Sequence, residues 1–283
     1  MLITIGIQGA LISGLYALIA VGFTMVYGVG RVENLSHGAY AMVAAYAFYG
    51  FTTTLDLPLG VGFLLALLIG IGMSVATYKV VVTRFRTNPV AIFTSTIILA
   101  LVLQHVIETI FTPAPRNLLP IMPGVVSILG NTVSNDLVIV MIVSWACLGS
   151  LLFFVRRTHL GRAMRAIAMD PVAAVVSGVE PERVNIITWI WSGALAALAG
   201  IFFGAYTHLI PSMWVYPLIM AFAIVIVGGL GSIEGSIIAA YIIGMSETAL
   251  TLLVSEQMRG IFGMVIMIAI LVVRPRGLLG KEA

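Results

Sequence analysis

The chain has 283 residues, 61% hydrophobic and only 9% charged, so it cannot bury its apolar surface as a soluble domain and must use lipid as solvent. The formal net charge of +3 comes from Lys and Arg gathered at a few span ends, which reports orientation in a membrane and excludes a nucleic-acid-binding role. The single cysteine, Cys147, lies in an apolar run, so no disulfide can form within the chain and a thiolate metal site is not expected.

No charge precedes Arg31. The N-terminus therefore lacks the basic region of a signal peptide, and its apolar stretch is too long for one, so it is expected to be retained as a span. Apolar runs of span length fall at 3–29, 38–55, 59–82, 90–111, 136–155, 184–209, 216–232, 235–253 and 259–273. Lipid offers the backbone no other partner, so these runs predict an all-α polytopic membrane protein of about 8–9 transmembrane helices, a single domain over 1–283.

The first run is longer than the hydrocarbon core needs, so it must tilt, bend or re-enter. It leads into Tyr27-Gly28-Val29-Gly30-Arg31-Val32-Glu33-Asn34-Leu35-Ser36-His37-Gly38, where glycines and polar groups interrupt the apolar pattern. Asn34 and Ser36 could cap the next helix, and His37 could titrate in a transport path or serve as a structural hydrogen-bond donor. Asp56-Leu57-Pro58 turns between the next two runs, and Lys79, Arg84 and Arg86 then mark a cytoplasmic loop. Counting back from Lys79 places Met1 outside.

In the fourth run, Gln104 and Glu108 share a helix face, with His105 adjacent and Thr94, Ser95 and Thr96 a few turns earlier, so one face is wettable. Thr96 and Gln104 are candidates for a translocation path, whereas Glu108 sits near the helix end and fits the outer interface. Four prolines and the run Gly130-Asn131-Thr132-Val133-Ser134-Asn135 make 112–135 an external loop.

The segment 156–183 is the only long charged stretch within the apolar runs, and Arg156, Arg157, Arg162 and Arg165 place it in the cytoplasm. A basic helical turn from Leu160 to Met169 precedes a short helix from Pro171 to Ser177. Asp170 is placed as its N-cap, Pro171 as its first residue and Gly178 as its stop. Val172, Val175 and Val176 give it an apolar face suited to a partner's groove or to the lipid interface.

Further on, Gly193, Ala197 and Gly200 recur at helical spacing and read as a close-packing surface. Tyr206, Trp214 and Tyr216, close to Pro211 and Pro217, read as an outer aromatic belt. Val227-Gly228-Gly229-Leu230-Gly231-Ser232-Ile233-Glu234-Gly235 is a second glycine interruption. Gly-interrupted segments in both halves of a carrier point to a substrate path through Gly228, Gly229 and Gly231, or to short turns between spans. Glu247 lies deep in its run and suits a polar lining or a helix-to-helix hydrogen bond. Arg274, Arg276 and Lys281 mark a cytoplasmic C-terminus. No phosphate-cradling GxxxxGK[ST] loop occurs, so the chain carries no ATP site and any ATP must be bound by another chain.

Val172-Ala173-Ala174 followed by Gly178 resembles the EAA-x3-G signature of ABC importer permeases, with Val172 where that motif has Glu and without its later I-x-L-P element. More specifically, the chain resembles the branched-chain amino acid ABC transporter permease family (LivH/LivM type). The resemblance rests on 14–22 (GLYALIAVG), Met25 to Gly28 with Asn34 to Gly38, Gly161 to Ala166 with Asp170, Gly228 to Ile233, and Arg274 to Gly280. It implies a multi-pass permease of the bacterial inner membrane that pairs with a second permease, two cytoplasmic ATPase subunits and a periplasmic binding protein. It makes the short helix a coupling helix, with Arg162, Arg165, Asp170, Pro171, Val172, Ala173, Ala174 and Gly178 contacting the ATPase. The family's substrates are mostly leucine, isoleucine and valine, with relatives carrying urea, amides or aromatic acids. Val172, and Glu234 where family members often have Pro, are departures. Two rival classes remain: an ion-coupled secondary carrier, which should place carboxylates mid-span as ion ligands, and a channel or structural scaffold, which would need neither an ATPase nor a binding protein.

Overall fold

The computed structural model describes residues 2–128, 130–255, 260–274 and 277–280. The expected C-terminal markers Arg276 and Lys281, together with Pro275 and the start of the last apolar run at Arg259, lie outside the described residues.

The first run forms one helix, α1 (Leu2–Gly30), of 29 residues. At about 1.5 Å per residue it is roughly 43 Å long, well beyond a hydrocarbon core. It resolves the excess length by running through the middle of the bundle, with 89% of its apolar window buried. Around it stand α2 (His37–Tyr49), extended by a π-helical turn over Gly50–Thr54, and α3 (Leu59–Thr77), extended likewise over Tyr78–Val82. Then come α4 (Pro89–Phe111) and α5 (Asn135–Arg157). Two short helices, α6 (His159–Met169) and α7 (Pro171–Val176), lead to α8 (Pro181–Tyr206), α9 (Val215–Gly228), α10 (Ile233–Leu253) and α11 (Ile261–Val273).

Among the described residues, 6 helices are long and apolar enough to cross a membrane unaided, and α9 and α11 are shorter apolar helices. The shorter α2 needs no lipid contact to be stable, because protein covers it on almost every side. The protein is thus a multi-pass, α-helical membrane protein. The 112–135 segment is not a span. It contains a hairpin of β1 (Val125–Ile128) and β2 (Asn131–Ser134), paired antiparallel with Val125 opposite Ser134, and turned through Gly130 at φ +80°. Ahead of the hairpin, Arg116 exchanges backbone hydrogen bonds with Leu209, which ties this end of the molecule to the exit from α8.

Helices in lipid gain nothing from hiding apolar surface, so close packing and hydrogen bonds must hold them. The small-residue stripe of α8 does this. Gly193 sits over Ser74 and the Gly70 backbone, Ala197 packs on Gly70, and Gly200 lies on the backbone of Ala41. Hydroxyls complete the contacts, with Ser74 Oγ donating to the Trp189 carbonyl at 2.8 Å and Thr24 Oγ1 lying 2.6 Å from Ser236 Oγ between α1 and α10.

Candidate functional site

The segment 156–183 is built from local signals. Thr158 ends α5 and starts α6, accepting from the Gly161 N–H at 3.0 Å. Gly161 is required there because a side chain would run into the Phe154 and Val155 carbonyls. Arg165 donates to the Val155 carbonyl and holds α6 against the end of α5. On the other face of α6, Ala163, Met164 and Ile167 are buried in the bundle core.

The Asp170 carboxylate accepts from Val172 and Ala173 N–H at 2.9 and 3.0 Å, capping α7. The helix closes through Gly178 at φ +84°, with Val179 N–H returning to the Ala174 carbonyl. Ala174 is the one buried residue of α7, whereas Val172 and Val176 are 73% and 84% exposed. Arg162 and Pro171 are exposed beside them. The molecule therefore carries a rigidly capped helix with its valines outward.

A second cluster lies inside the bundle. After α1 the chain turns at Arg31, and residues 31–36 climb back into the protein. His37 at the start of α2 reaches the Ile19 carbonyl through Nε2 at 3.0 Å and Ser192 Oγ through Nδ1 at 3.3 Å. Ile19 lies roughly 16 Å along α1 from its end and Ser192 a similar distance along α8, so α2 begins near mid-depth. The first glycine interruption is thus re-entrant. His37 is a buried bracket joining three helices, beneath Gly22, where a side chain would collide with its ring.

Asn34 and Ser36 do not cap α2, contrary to the sequence expectation. Ser36 Oγ donates to Asn34 Oδ1 at 2.7 Å and lies 2.7 Å from the Tyr40 hydroxyl, so both polar groups are used in a local network. Thr96 joins the same place, accepting from Leu35 N–H at 3.2 Å.

The start of α9 meets the start of α2. A side chain on Gly38 would strike the Trp214 carbonyl and Leu218. Trp214 and Tyr216 are therefore not the outer belt that their proximity to prolines implied. Trp214 is 5% exposed, and its indole N–H donates to Gln104 Oε1 at 2.7 Å, while the Gln104 amide donates to Glu108 at 2.8 Å. Tyr216 donates to Glu247, as does Tyr16 at 3.0 Å, and the two phenol oxygens are 2.8 Å apart. Glu247 is 3% exposed, a carboxylate held by phenols from α1 and α9. Between these groups, Leu15, Tyr16, Ile19, Met42, Phe203 and Trp214 line a void of about 10 Å³, room for about one water.

Gly228, Gly229 and Gly231 lie elsewhere, in a tight turn between α9 and α10 with φ of +101° at Gly229 and +83° at Gly231. Gly28 rests on the Gly231 carbonyl, and the chain clasps the turn from below through Leu278 and Leu279, whose N–H groups donate to Val227 and Gly228 carbonyls. The candidates thus form four separate places: Asn34, Ser36, His37 and Thr96 together, Gln104 with Trp214, Glu247 with the two tyrosines, and the glycine turn. Tyr16, Tyr40, Ser192 and Trp214 were missed as site residues. The available signal was a phenol or hydroxyl inside a helix, or an indole just before one, with few other polar groups nearby.

Residues 6–271 match the family model described as the branched-chain amino acid transport system / permease component. The chain is 28% identical to the high-affinity branched-chain amino acid transport system permease protein LivH of Escherichia coli, over 97% of this chain and 94% of that protein. It is 29% identical to the probable branched-chain amino acid transport permease protein LivH of Methanocaldococcus jannaschii, over 98% of this chain and 92% of that protein. Among solved structures it is similar to PsaBC from Streptococcus pneumoniae in complex with Fab, with a TM-score of 0.52 and 15% identity over 95% of this chain and 92% of that one, a likeness of fold.

Proposed function

This chain belongs to the family of branched-chain amino acid transport system permease components, and we propose that it is the permease subunit of an ABC importer for branched-chain or other hydrophobic amino acids. It pairs with a second permease in a bacterial inner membrane, two cytoplasmic ATPase subunits supply ATP hydrolysis, and a periplasmic binding protein delivers substrate at the hairpin end. The observation that carries this reading is α7, whose valines stand outward on a helix capped by Asp170 and stopped by Gly178, at the end bearing Arg156, Arg157, Arg162 and Arg165. An outward apolar face on a capped helix at that end suits a partner's groove. Movement imposed on α7 passes to α6, which is clamped on α5 by Gly161 and Arg165 and packs on α1 and α8.

The path is proposed to run beside the mid-depth starts of α2 and α9, where His37, Trp214 and the Tyr16–Tyr216–Glu247 cluster concentrate polar groups at a depth where they are costly. Reconstitution of the chain with its permease partner, ATPase subunits and binding protein tests the reading. Leucine uptake into proteoliposomes is expected to require ATP and binding protein and to survive a protonophore. Uptake that persists without ATP and collapses with an ionophore would make the chain an ion-coupled carrier. Uptake of urea, amides or aromatic acids in place of leucine would keep the class and change the substrate.

A further inference from the structure

A cavity of about 570 Å³ opens at the basic end of the bundle, between the end of α1, the π turn after α3, the start of α4 and the first turns of α8. Tyr27, Tyr78 and Trp189 form its aromatic wall, the last two held in the buried core of the bundle. Two guanidiniums, Arg31 and Arg86, line it against one carboxylate, Glu33, which leaves an excess of one positive charge. Among the described residues, neither guanidinium takes part in an ion pair. Arg86 is nonetheless fixed in place, donating to the Tyr78 hydroxyl at 2.9 Å with its guanidinium 5.8 Å above the ring.

Arg31 holds φ +51°, a backbone conformation that suits glycine and strains any larger residue. The turn would be less strained with glycine, yet the position carries a guanidinium at the cavity lip. The rim continues onto α4, where Val90, Phe93, Ile97 and Leu101 are exposed at helical spacing and form an apolar track leading away from the two arginines. A soluble anion would have no use for that track.

We propose that this cavity binds a glycerophospholipid of net charge −1, its phosphate between Arg31 and Arg86 and an acyl chain along Val90, Phe93, Ile97 and Leu101. Arginine supplies paired donors matched to phosphate oxygens, and basic pockets between helices at this depth recognise anionic headgroups. Bound there, the lipid wedges α1 and α4 at the level where the re-entrant 31–36 segment departs, and so supports the mid-depth placement of α2.

The test uses the purified, delipidated transporter complex and follows phosphatidylglycerol, phosphatidylethanolamine, phosphatidylcholine and inorganic phosphate by native mass spectrometry and thermal shift. Phosphatidylglycerol is expected to bind and stabilise more than the two zwitterionic lipids, and millimolar phosphate should not displace it. Arg31→Gly, which relieves the backbone strain, and Arg86→Gln should each weaken phosphatidylglycerol binding about five-fold. Arg84→Gln, on the same loop but outside the cavity lining, should leave it unchanged. Equal affinity for a zwitterionic lipid, displacement by phosphate, unaltered binding in the Arg31→Gly/Arg86→Gln double variant, or an equal loss in Arg84→Gln would each overturn the proposal.

Discussion

The Trp214 indole N–H donates to the Gln104 side-chain oxygen at 2.7 Å, fastening the start of α9 to the outer part of α4. Gln104→Leu would leave that buried donor unpaired and release Glu108 from its amide. A loss of about 1–3 kcal/mol is expected, measured as reduced resistance to denaturant in detergent. The double variant Trp214→Phe/Gln104→Leu should recover part of it, since neither buried group then lacks its partner.

The phenols around Glu247 should behave as a unit. Tyr16→Phe and Tyr216→Phe are each expected to cost about 1 kcal/mol, in the range measured for hydrogen bonds between membrane helices. With Glu247→Gln in place, either tyrosine change should cost less than it does alone. A double-mutant cycle in the purified complex checks this, and additive losses would show that the three groups do not share one network.

Val176→Asp places a charge on the most exposed valine of α7 without touching the bundle. The chain should express and melt as the wild type does, while copurification of the ATPase subunits falls at least ten-fold. Ala174→Asp, by contrast, buries a charge under α7 and should lower the yield of folded chain itself. Normal ATPase capture by Val176→Asp would remove α7 as the coupling contact.

Gly161→Ala should be poorly tolerated although alanine favours helices, because the new methyl would overlap the Phe154 and Val155 carbonyls. Gly149→Ala makes the same chemical change on the neighbouring α5, where nothing lies within 4 Å. It should be neutral or slightly stabilising. Melting temperatures of the two variants decide the matter.

Arg156 and Glu234 form an ion pair from the end of α5 to the first turn of α10, with side chains 59% and 55% exposed. Such exposure limits the pair to about 0.2–1 kcal/mol. Glu234→Gln should therefore leave uptake within two-fold of wild type, and its small destabilisation should vanish at high salt. A larger effect would mean that the pair constrains the motion of α5 relative to α10.

Much of the segment 156–183 was legible because its signals are local. Asp170, Pro171 and Gly178 act on backbone groups within a few residues of themselves, and the helix they define matches the structure to within its C-cap, Ser177. The α8 stripe was legible for a similar reason, since small residues at helical spacing mark a face before its partner is known. Trp214 and Tyr216 were misread because an aromatic near prolines resembles an interfacial anchor until its hydrogen-bond partner is located. Ser36 was misread because a hydroxyl before a helix fits a cap, while the Asn34 side chain and the Tyr40 phenol offered nearer partners.

The amino-acid sequence by itself determined that the chain lives in lipid, where its helices run, which end is basic and how α7 begins and ends. Each of these follows from composition, from periodicity or from contacts within one turn. Only the tertiary structure decided that the first glycine interruption re-enters while the second is a turn, that α2 and α9 begin against one another at Gly38 and Trp214, and that Glu247 is held by Tyr16 and Tyr216. Those facts depend on groups distant in the chain meeting face to face, and apolar periodicity inside a membrane does not specify which helix faces which, because lipid and protein offer an apolar side chain nearly the same solvent.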